Sequence, residues 1–385
     1  MYRIALKMLI GDRAKFIGMV LALSFSAIII TQQMAIFLGL LRRTYSFISD
    51  TTQPDVWVMD PSVKMVDDIN GMRKTDLLRI RSVAGVAWAM PFYKGVIRAR
   101  LPNGQYQACN VIGIDAATFI GGPHTMLAGS VDALRGPDAV IVNQEGALDK
   151  LAIDEGNGKP KRPLHVGDVL ELNDRRAHVV GICLTTRTFR SEPLVYTTYE
   201  RAINYAPAER KQLSYIVVKA QKGVSPEMLC QRIQKTTGLK ALTKKEFETA
   251  TLNYYMKNTG IPINFGIAVL LGLLVGAAIT GQIFFNFTTD NLPYFALFTI
   301  AGAPRHMLAQ ISLLQAIWVA FLGWGIGSGT ASFIGFATRS TQLAFVLPWW
   351  LLAGTGLLML CICIISALIS ISRIFSIDLW TLFKR

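Results

Sequence analysis

Four stretches of this sequence carry no Asp, Glu, Lys or Arg: Phe16 to Leu41, Ile263 to Phe287, Met307 to Phe336 and Pro348 to Ile371. A helix rises ~1.5 Å per residue and the hydrocarbon core of a bilayer is ~30 Å thick, so about 20 apolar residues cross it. Every stretch clears that length, and soluble cores seldom sustain uncharged runs of this size four times in one chain. A mean hydropathy of +0.39 over 385 residues fits the same reading. The expected fold class is a membrane protein with four transmembrane α-helices and a large mixed α/β extracytoplasmic domain between helix 1 and helix 2.

The first run is longer than the ~7–15-residue apolar region of a signal peptide, and no small-x-small cleavage site precedes Arg42-Arg43, so it reads as a retained anchor. Orientation follows from flanking charge. Arg3, Lys7, Arg13 and Lys15 precede the first run against Asp12 alone, and Arg373, Lys384 and Arg385 follow the last against Asp378. By the positive-inside rule both termini are cytoplasmic, and Arg42-Arg43 at the outer end are outweighed. The expected order is a cytoplasmic amphipathic helix at 1–15, a first span at 16–41, an outer domain at 42–262 and a second span at 263–287. A cytoplasmic segment at 288–305, a third span at 306–336, a short outer loop at 337–347, a fourth span at 348–372 and a cytoplasmic tail at 373–385 complete it. Spans one and three exceed what a bilayer needs, so they tilt or continue past its surface as a stalk. Residues 1–15 set Arg3 and Lys7 among Ile4, Leu6, Met8, Leu9 and Ile10, a pattern that lies on membrane lipid.

The outer domain holds 30 Lys and Arg against 22 acidic residues, a modest surplus. No basic cluster with interleaved aromatics occurs, which excludes nucleic acid as the expected partner. Asp55 to Met59, Phe92 to Leu101, Tyr106 to Ile114, Ala139 to Val142, Val166 to Leu172, Ala177 to Leu184, Leu194 to Thr197 and Tyr215 to Lys219 read as strands. Pro102-Asn103-Gly104 and Asn173-Asp174 supply two hairpin turns. Asp67 to Ile80 reads as helix, Ser225-Pro226-Glu227 opens another, and a third runs from Thr243 with Lys244, Lys245 and Glu248 exposed. Glu155 to Pro163 reads as a flexible loop.

Absences narrow the function. No GxxxxGK[ST] occurs, so no P-loop binds ATP in this chain. No serine elbow, HExxH or Cys/His spacing nominates a catalytic, cofactor-binding or metal residue, and the four His at 124, 165, 178 and 306 are scattered. Cys109, Cys183 and Cys230 allow at most one disulfide outside the membrane, and Cys361 and Cys363 lie in the last span. The spans contain Gln32, Gln33, Gln282, Gln310 and Gln315 but no ionisable carboxylate or amine, which disfavours a self-sufficient ion-coupled pump. Energy is then expected from a separate subunit. Gly272 with Gly276, and Gly325 with Gly329, sit four residues apart and suit close helix packing, either within one subunit or between two.

One long span, an outer domain of about 200 residues and three further spans resemble the MacB/FtsX superfamily of ABC transporter permeases, and within it the DevC-type permeases. The likeness is carried by Gln33 to Leu40, by Val166 to Asn173 followed by Val179-Val-Gly-Ile182, by Phe189 to Ala202 and by Ile300-Ala-Gly-Ala-Pro-Arg305. Tyr294-Phe-Ala296 and Leu379 depart from the usual family pattern. The resemblance implies a homodimer with a separate ABC ATPase subunit that binds ATP and Mg, a HlyD-like periplasmic adaptor and an outer-membrane channel. It implies the cell inner membrane as location, export of lipid, glycolipid or other cargo handled on the outer side, and no enzyme activity in this chain. Segment 288–305 would be the coupling helix, with Asn291, Leu292, Pro293, Tyr294, Phe295, Leu297, Phe298, Gly302, Ala303 and Arg305 docking the ATPase. In it, Asn291-Leu-Pro293 starts a helix whose Phe295, Leu297 and Phe298 offer an apolar face. The alternative within the superfamily is an FtsX-like subunit that transmits force to a cell-wall enzyme and transports nothing.

Overall fold

The computed structural model describes residues 2–101, 103–154, 161–208, 212–338 and 343–374. Pro102, most of the loop expected at 155–163, Arg339 and the tail from 375 lie outside the described residues. The chain divides into two units, one of residues 1–40 and 260–385 and one of residues 41–259.

Among the described residues of the first unit, four helices are long and apolar enough to cross a membrane. They are α2 (Arg13–Asp50), α7 (Ile261–Asp290), α9 (Arg305–Ala337) and α10 (Trp349–Ile374), joined by α1 (Tyr2–Gly11) and α8 (Leu292–Ile300). Helix α2 runs past both ends of the uncharged run Phe16 to Leu41, and its residues from Leu41 belong to the second unit. Its N-terminal half packs Met19, Leu23, Ala27 and Ile30 against Phe284, Ala316, Val319, Met359 and Cys363. In lipid the packing of close-fitting surfaces replaces the hydrophobic drive, and several polar side chains add hydrogen bonds from one helix to another. The Trp324 indole donates to the Leu352 carbonyl at 3.1 Å, Ser370 to the Phe284 carbonyl at 3.1 Å, and buried Gln315 to the Ala5 carbonyl at 3.1 Å. Gln315 thus ties α1 to α9, while Ala5 and Leu9 of α1 face inward and Leu6 and Ile10 face out.

Among its described residues the second unit has ten strands. Four of them, β10 (Lys240–Thr243), β1 (Val56–Met59), β9 (Tyr215–Ala220) and the first half of β2 (Val86–Arg100), form an antiparallel layer. Alternation along each strand sorts the two faces. Val56, Val58, Ile216 and Val218 pack with Ile80 of α3 (Lys74–Arg81) and Leu229 and Ile233 of α5 (Pro226–Thr237). Trp57, Met59, Tyr215 and Val217 face Phe47 of α2 and Phe247 of α6 (Lys244–Asn258).

The second half of β2 enters a closed ring. It pairs with β3 (Tyr106–Ile114), β3 with β8 (Leu194–Thr198), β8 with β5 (Ala139–Asn143), β5 with β7 (Arg175–Leu184), β7 with β6 (Val169–Leu172), and β6 returns to β2. A six-stranded ring is narrow enough for side chains to fill it, and Ile97, Cys109, Val111, Val140, Leu170 and Val179 are among the buried residues that do. One further strand, β4 (Thr125–Gly129), adds to β7 outside the ring. The Asn173-Asp174 turn has φ of +48° and +60°, as a two-residue hairpin requires.

Two expectations are corrected. Only Lys74–Arg81 of the segment 67–80 is helical. Asn70-Gly71 disfavours a helix there, Met72 pairs with Leu213 in an isolated bridge, and Asp67 is drawn into an ion pair described below. Lys244 and Glu248 are half-buried rather than exposed. The Lys244 ammonium donates to the carbonyls of Ser49 at 2.7 Å and Thr51 at 3.1 Å, and the Ser49 hydroxyl donates to Glu248 at 2.7 Å. The first residue of α6 therefore satisfies the open carbonyl end of α2.

Candidate functional site

The residues expected to dock an ATPase lie at 291–305, and the structure builds a tight corner there. Asn291 closes α7, its backbone N–H and its side-chain amide both donating to the Phe287 carbonyl at 3.1 and 2.8 Å. Its own carbonyl accepts from Tyr294 and Phe295 at 3.1 Å each, which starts α8, and Pro293 in the first turn forfeits no intrahelical bond. The far end is a Schellman stop. Gly302 donates to the Thr299 carbonyl at 3.0 Å and Ala303 to the Phe298 carbonyl at 2.9 Å, with Gly302 at φ +89° where a side chain would be strained. Pro304 then caps α9, which begins at Arg305.

Helix α8 has two faces. Leu292, Phe295 and Ala296 are buried, and Phe295 packs with Ala5, Leu308 and Ile311, with Phe298 partly covered beside them. Tyr294, Leu297 and Ile300 are 59%, 59% and 67% exposed and follow the helical repeat, with Pro293 adjoining them. Phe295 thus leaves the exposed face, and Ile300, which the sequence reading passed over, joins it. Counting three on from Leu297 would have found it. Near the same corner Lys15 bridges Asp12 at 2.8 Å and Asp290, the last residue of α7.

The paired glycines separate. A Cβ on Gly272 would sit 3.0 Å from Ile29, and one on Gly276 2.5 Å from the Ser26 hydroxyl, so this pair seats α2 within the chain. Gly325 and Gly329 meet nothing within 4 Å. The pair that seats α2 on α9 is Gly323 and Gly327, whose added Cβ atoms would lie 2.6 Å from those of Leu23 and Ala27. Two residues along a helix is a turn of about 200°, so Gly325 and Gly329 occupy the opposite face.

In the outer domain one charged cluster is almost dry. Lys94 on β2 is 2% exposed in its side chain and pairs with Asp67. Its ammonium also donates to the Val66 carbonyl at 3.3 Å and lies 5.5 Å from the Phe47 ring centroid of α2. Asp67 accepts from the Tyr255 hydroxyl of α6 at 3.3 Å. Burial alone would raise the Asp67 carboxyl, but the charge and hydrogen bond of Lys94, with the Tyr255 bond, hold it below the usual carboxylate range. The cluster therefore meets α2 and α6 inside the domain. Sequence spacing gave no sign of the pairing, although a lysine amid Phe92-Tyr93-Lys94-Gly95-Val96-Ile97 was the available signal. The five cysteines are free, and burial pushes the Cys109, Cys183 and Cys230 thiols up to about 12.

Residues 16–236 match the MacB-like periplasmic core domain, and residues 266–379 match the FtsX-like permease C-terminal domain. The chain belongs to the MacB/FtsX superfamily of ABC transporter permeases. The permease is a multi-pass membrane protein, and permeases of this family work with an ABC ATPase. Among solved structures it is similar to the extracellular domain of the noncanonic ABC-type transporter YknZ from Gram-positive bacteria, at 11% identity and a TM-score of 0.33, covering 49% of this chain and 98% of that one. It is also similar to the periplasmic region of MacB from Actinobacillus actinomycetemcomitans, at 14% identity and a TM-score of 0.36, covering 55% and 96%. A domain of a putative permease protein from Porphyromonas gingivalis is similar at 18% identity and a TM-score of 0.31, covering 49% and 88%. No curated protein matches the chain.

Proposed function

We propose that the permease is the membrane subunit of a DevC-type exporter in the cell inner membrane, with both termini cytoplasmic. Two copies of the chain work with a separate ABC ATPase, which holds ATP and Mg, and with a HlyD-like adaptor and an outer-membrane channel. Cargo of lipid or glycolipid character is handled by the outer domain. The observation that carries the reading is the exposed apolar ridge of Tyr294, Leu297 and Ile300 on a short helix whose other face is anchored. An amphipathic helix presenting anchors at this spacing suits a groove on a soluble partner. Gly325 and Gly329, open on the face of α9 turned away from α2, suit contact with a second copy.

The test is co-purification with the candidate ATPase. Leu297→Asp and Ile300→Asp are expected to weaken ATPase recruitment at least tenfold with the permease's melting temperature unchanged, because both side chains are exposed. Wild-type recruitment by both variants would remove α8 as the docking element, and failure of the wild type to bind any ATPase would remove the exporter reading itself.

A second reading, an FtsX-like subunit that moves its outer domain to control a cell-wall enzyme, draws on the Lys94 cluster. A rigid link from Phe47 of α2 to Tyr255 of α6 suits transmission of force. A deletion strain separates the two. Altered wall hydrolysis with an unchanged lipid profile favours force transmission, and the reverse favours export.

A further inference from the structure

The outer domain contains a cavity of about 460 Å³ where α2 ends, within the ~300–1,000 Å³ range of small-molecule sites. Its walls are the residues from Asp50 to Thr52, the glycine-bearing loop before β4 and the end of β7, with Tyr196 of β8 among the lining residues. The walls are held together. The Asp50 carboxylate accepts from the Thr186 N–H at 2.8 Å and from its hydroxyl at 3.0 Å. The Thr52 hydroxyl is 3.1 Å from Nε2 of His124, and Gly121 donates to the Gln53 side chain at 2.7 Å.

More than half of the lining residues carry a hydroxyl. Small-molecule sites are ordinarily lined mostly by apolar groups with a few placed polar ones, and here apolar atoms, threonine methyls among them, still supply the larger share of the lining surface. Among the described residues no Lys or Arg lines the cavity, which leaves a phosphate or carboxylate ligand without a counter-charge there. Asp50 is already engaged by two donors, which weakens its claim on a cation, yet each carboxylate oxygen retains a lone pair for a further donor. One lining hydroxyl, Thr185 Oγ1, is buried without a hydrogen-bond partner, and a buried polar group in that condition is stabilised by whatever supplies one. A threonine rotamer step exchanges its hydroxyl and methyl and turns that donor toward an occupant.

We propose that this cavity binds a neutral sugar. The Ser49, Thr51 and Thr186 hydroxyls already donate to Glu248, the Phe47 carbonyl and Asp50, so toward a polyhydroxyl ring they act as acceptors, while Asp50 and His124 accept or donate at fixed points. Leu184 and Pro123 offer apolar contact to the C–H face of such a ring. The site does not depend on ATPase docking or on whether the chain exports anything.

The experiment uses the full chain in lipid nanodiscs, because glucoside and maltoside detergents would compete. Saturation-transfer NMR with D-glucose and D-galactose, against methylammonium chloride and sodium phosphate, is expected to show saturable binding of at least one hexose and of neither ion. Thr185→Val and His124→Ala are each expected to weaken that binding at least tenfold, with Thr185→Ser close to wild type. His124 is exposed, so His124→Ala keeps the test decisive if Thr185→Val fails to fold. Absence of hexose binding to the wild type, binding unchanged in a folded variant, or binding of an ion in place of sugars would each overturn the proposal.

Discussion

Replacing Asp67 with Asn removes one charge from the Lys94 cluster while keeping the shape of the side chain. The lysine left behind is 2% exposed, and its remaining contacts are the Val66 carbonyl at 3.3 Å and the Phe47 ring at 5.5 Å. Breaking a buried pair by removing one partner costs about 3–5 kcal/mol, because the other charge stays uncompensated. Asp67 itself is 25% exposed, so some water reaches the site and the lower end, about 3 kcal/mol, is the expected loss. Lys94→Met should cost far less, about 1 kcal/mol, because the carboxylate it leaves behind can hydrate and keeps the Tyr255 bond. For a domain of this size 3 kcal/mol is about 6–12 °C in melting temperature. Near-UV circular dichroism of the full chain reads the transition through Trp57, which is fully buried between Phe47, Phe92, Tyr215 and Phe247. The pH dependence has a definite sign. The folded-state Asp67 pKa lies below the unfolded value of about 3.9, so its contribution is complete above that value and is lost as pH falls through the folded one. The gap between wild type and Asp67→Asn should therefore be constant near neutrality and close below about pH 4. A loss under about 1 kcal/mol, or a larger loss for Lys94→Met than for Asp67→Asn, would refute the reasoning.

Thr243 accepts from the Glu246 N–H while Glu246 accepts from the Thr243 N–H, so Thr243→Ala should cost about 1 kcal/mol in outer-domain denaturation, and an unchanged midpoint would exclude the cap. Gly327→Val, which overlaps Ala27 and the Ser24 carbonyl, should destabilise the membrane helices of a single chain by about 1–3 kcal/mol, whereas Gly325→Val, which meets nothing within the chain, should leave the thermal stability of the dissociated permease unaltered. Cys109, Cys183 and Cys230 should resist maleimide at pH 8 in the folded protein and react after denaturation, since thiols shifted up to about 12 stay protonated there.

Hydropathy made the membrane helices legible because lipid imposes one requirement on every residue of a run. The hairpin turns were legible because Asn173, Asp174 and Gly104 take up positive φ at little cost. The strands β4 and β10 were missed for different reasons. Most of β4 is exposed, so Thr125 to Gly129 has no alternation to read, and β10 is four residues long and borders a helix cap. Closure of the strand ring depends on β3 pairing with β8 in parallel, more than eighty residues away, which no local pattern encodes. At the corner of α8 the start and stop signals were readable from Asn291-Leu-Pro293 and Gly302, but which apolar side chains face outward depends on where α1 and α9 pack. The glycine pairs show the same limit. Spacing identifies a helix face that admits a close neighbour, and only the neighbour's position reveals which of two faces in α9 has one.

Strand β2 is the party wall of the outer domain. Residues 86–92 pair with β9 and residues 93–100 with β3, so fifteen consecutive residues close two cores at once. Neither half can be excised, swapped with a relative's or expressed alone without opening a seam in the other. Any rearrangement of this domain, by recombination or by design, must carry Val86–Arg100 across intact. The insertions that lengthen or decorate the ring are then confined to its loops, such as the one between β5 and β6, where no shared strand is cut.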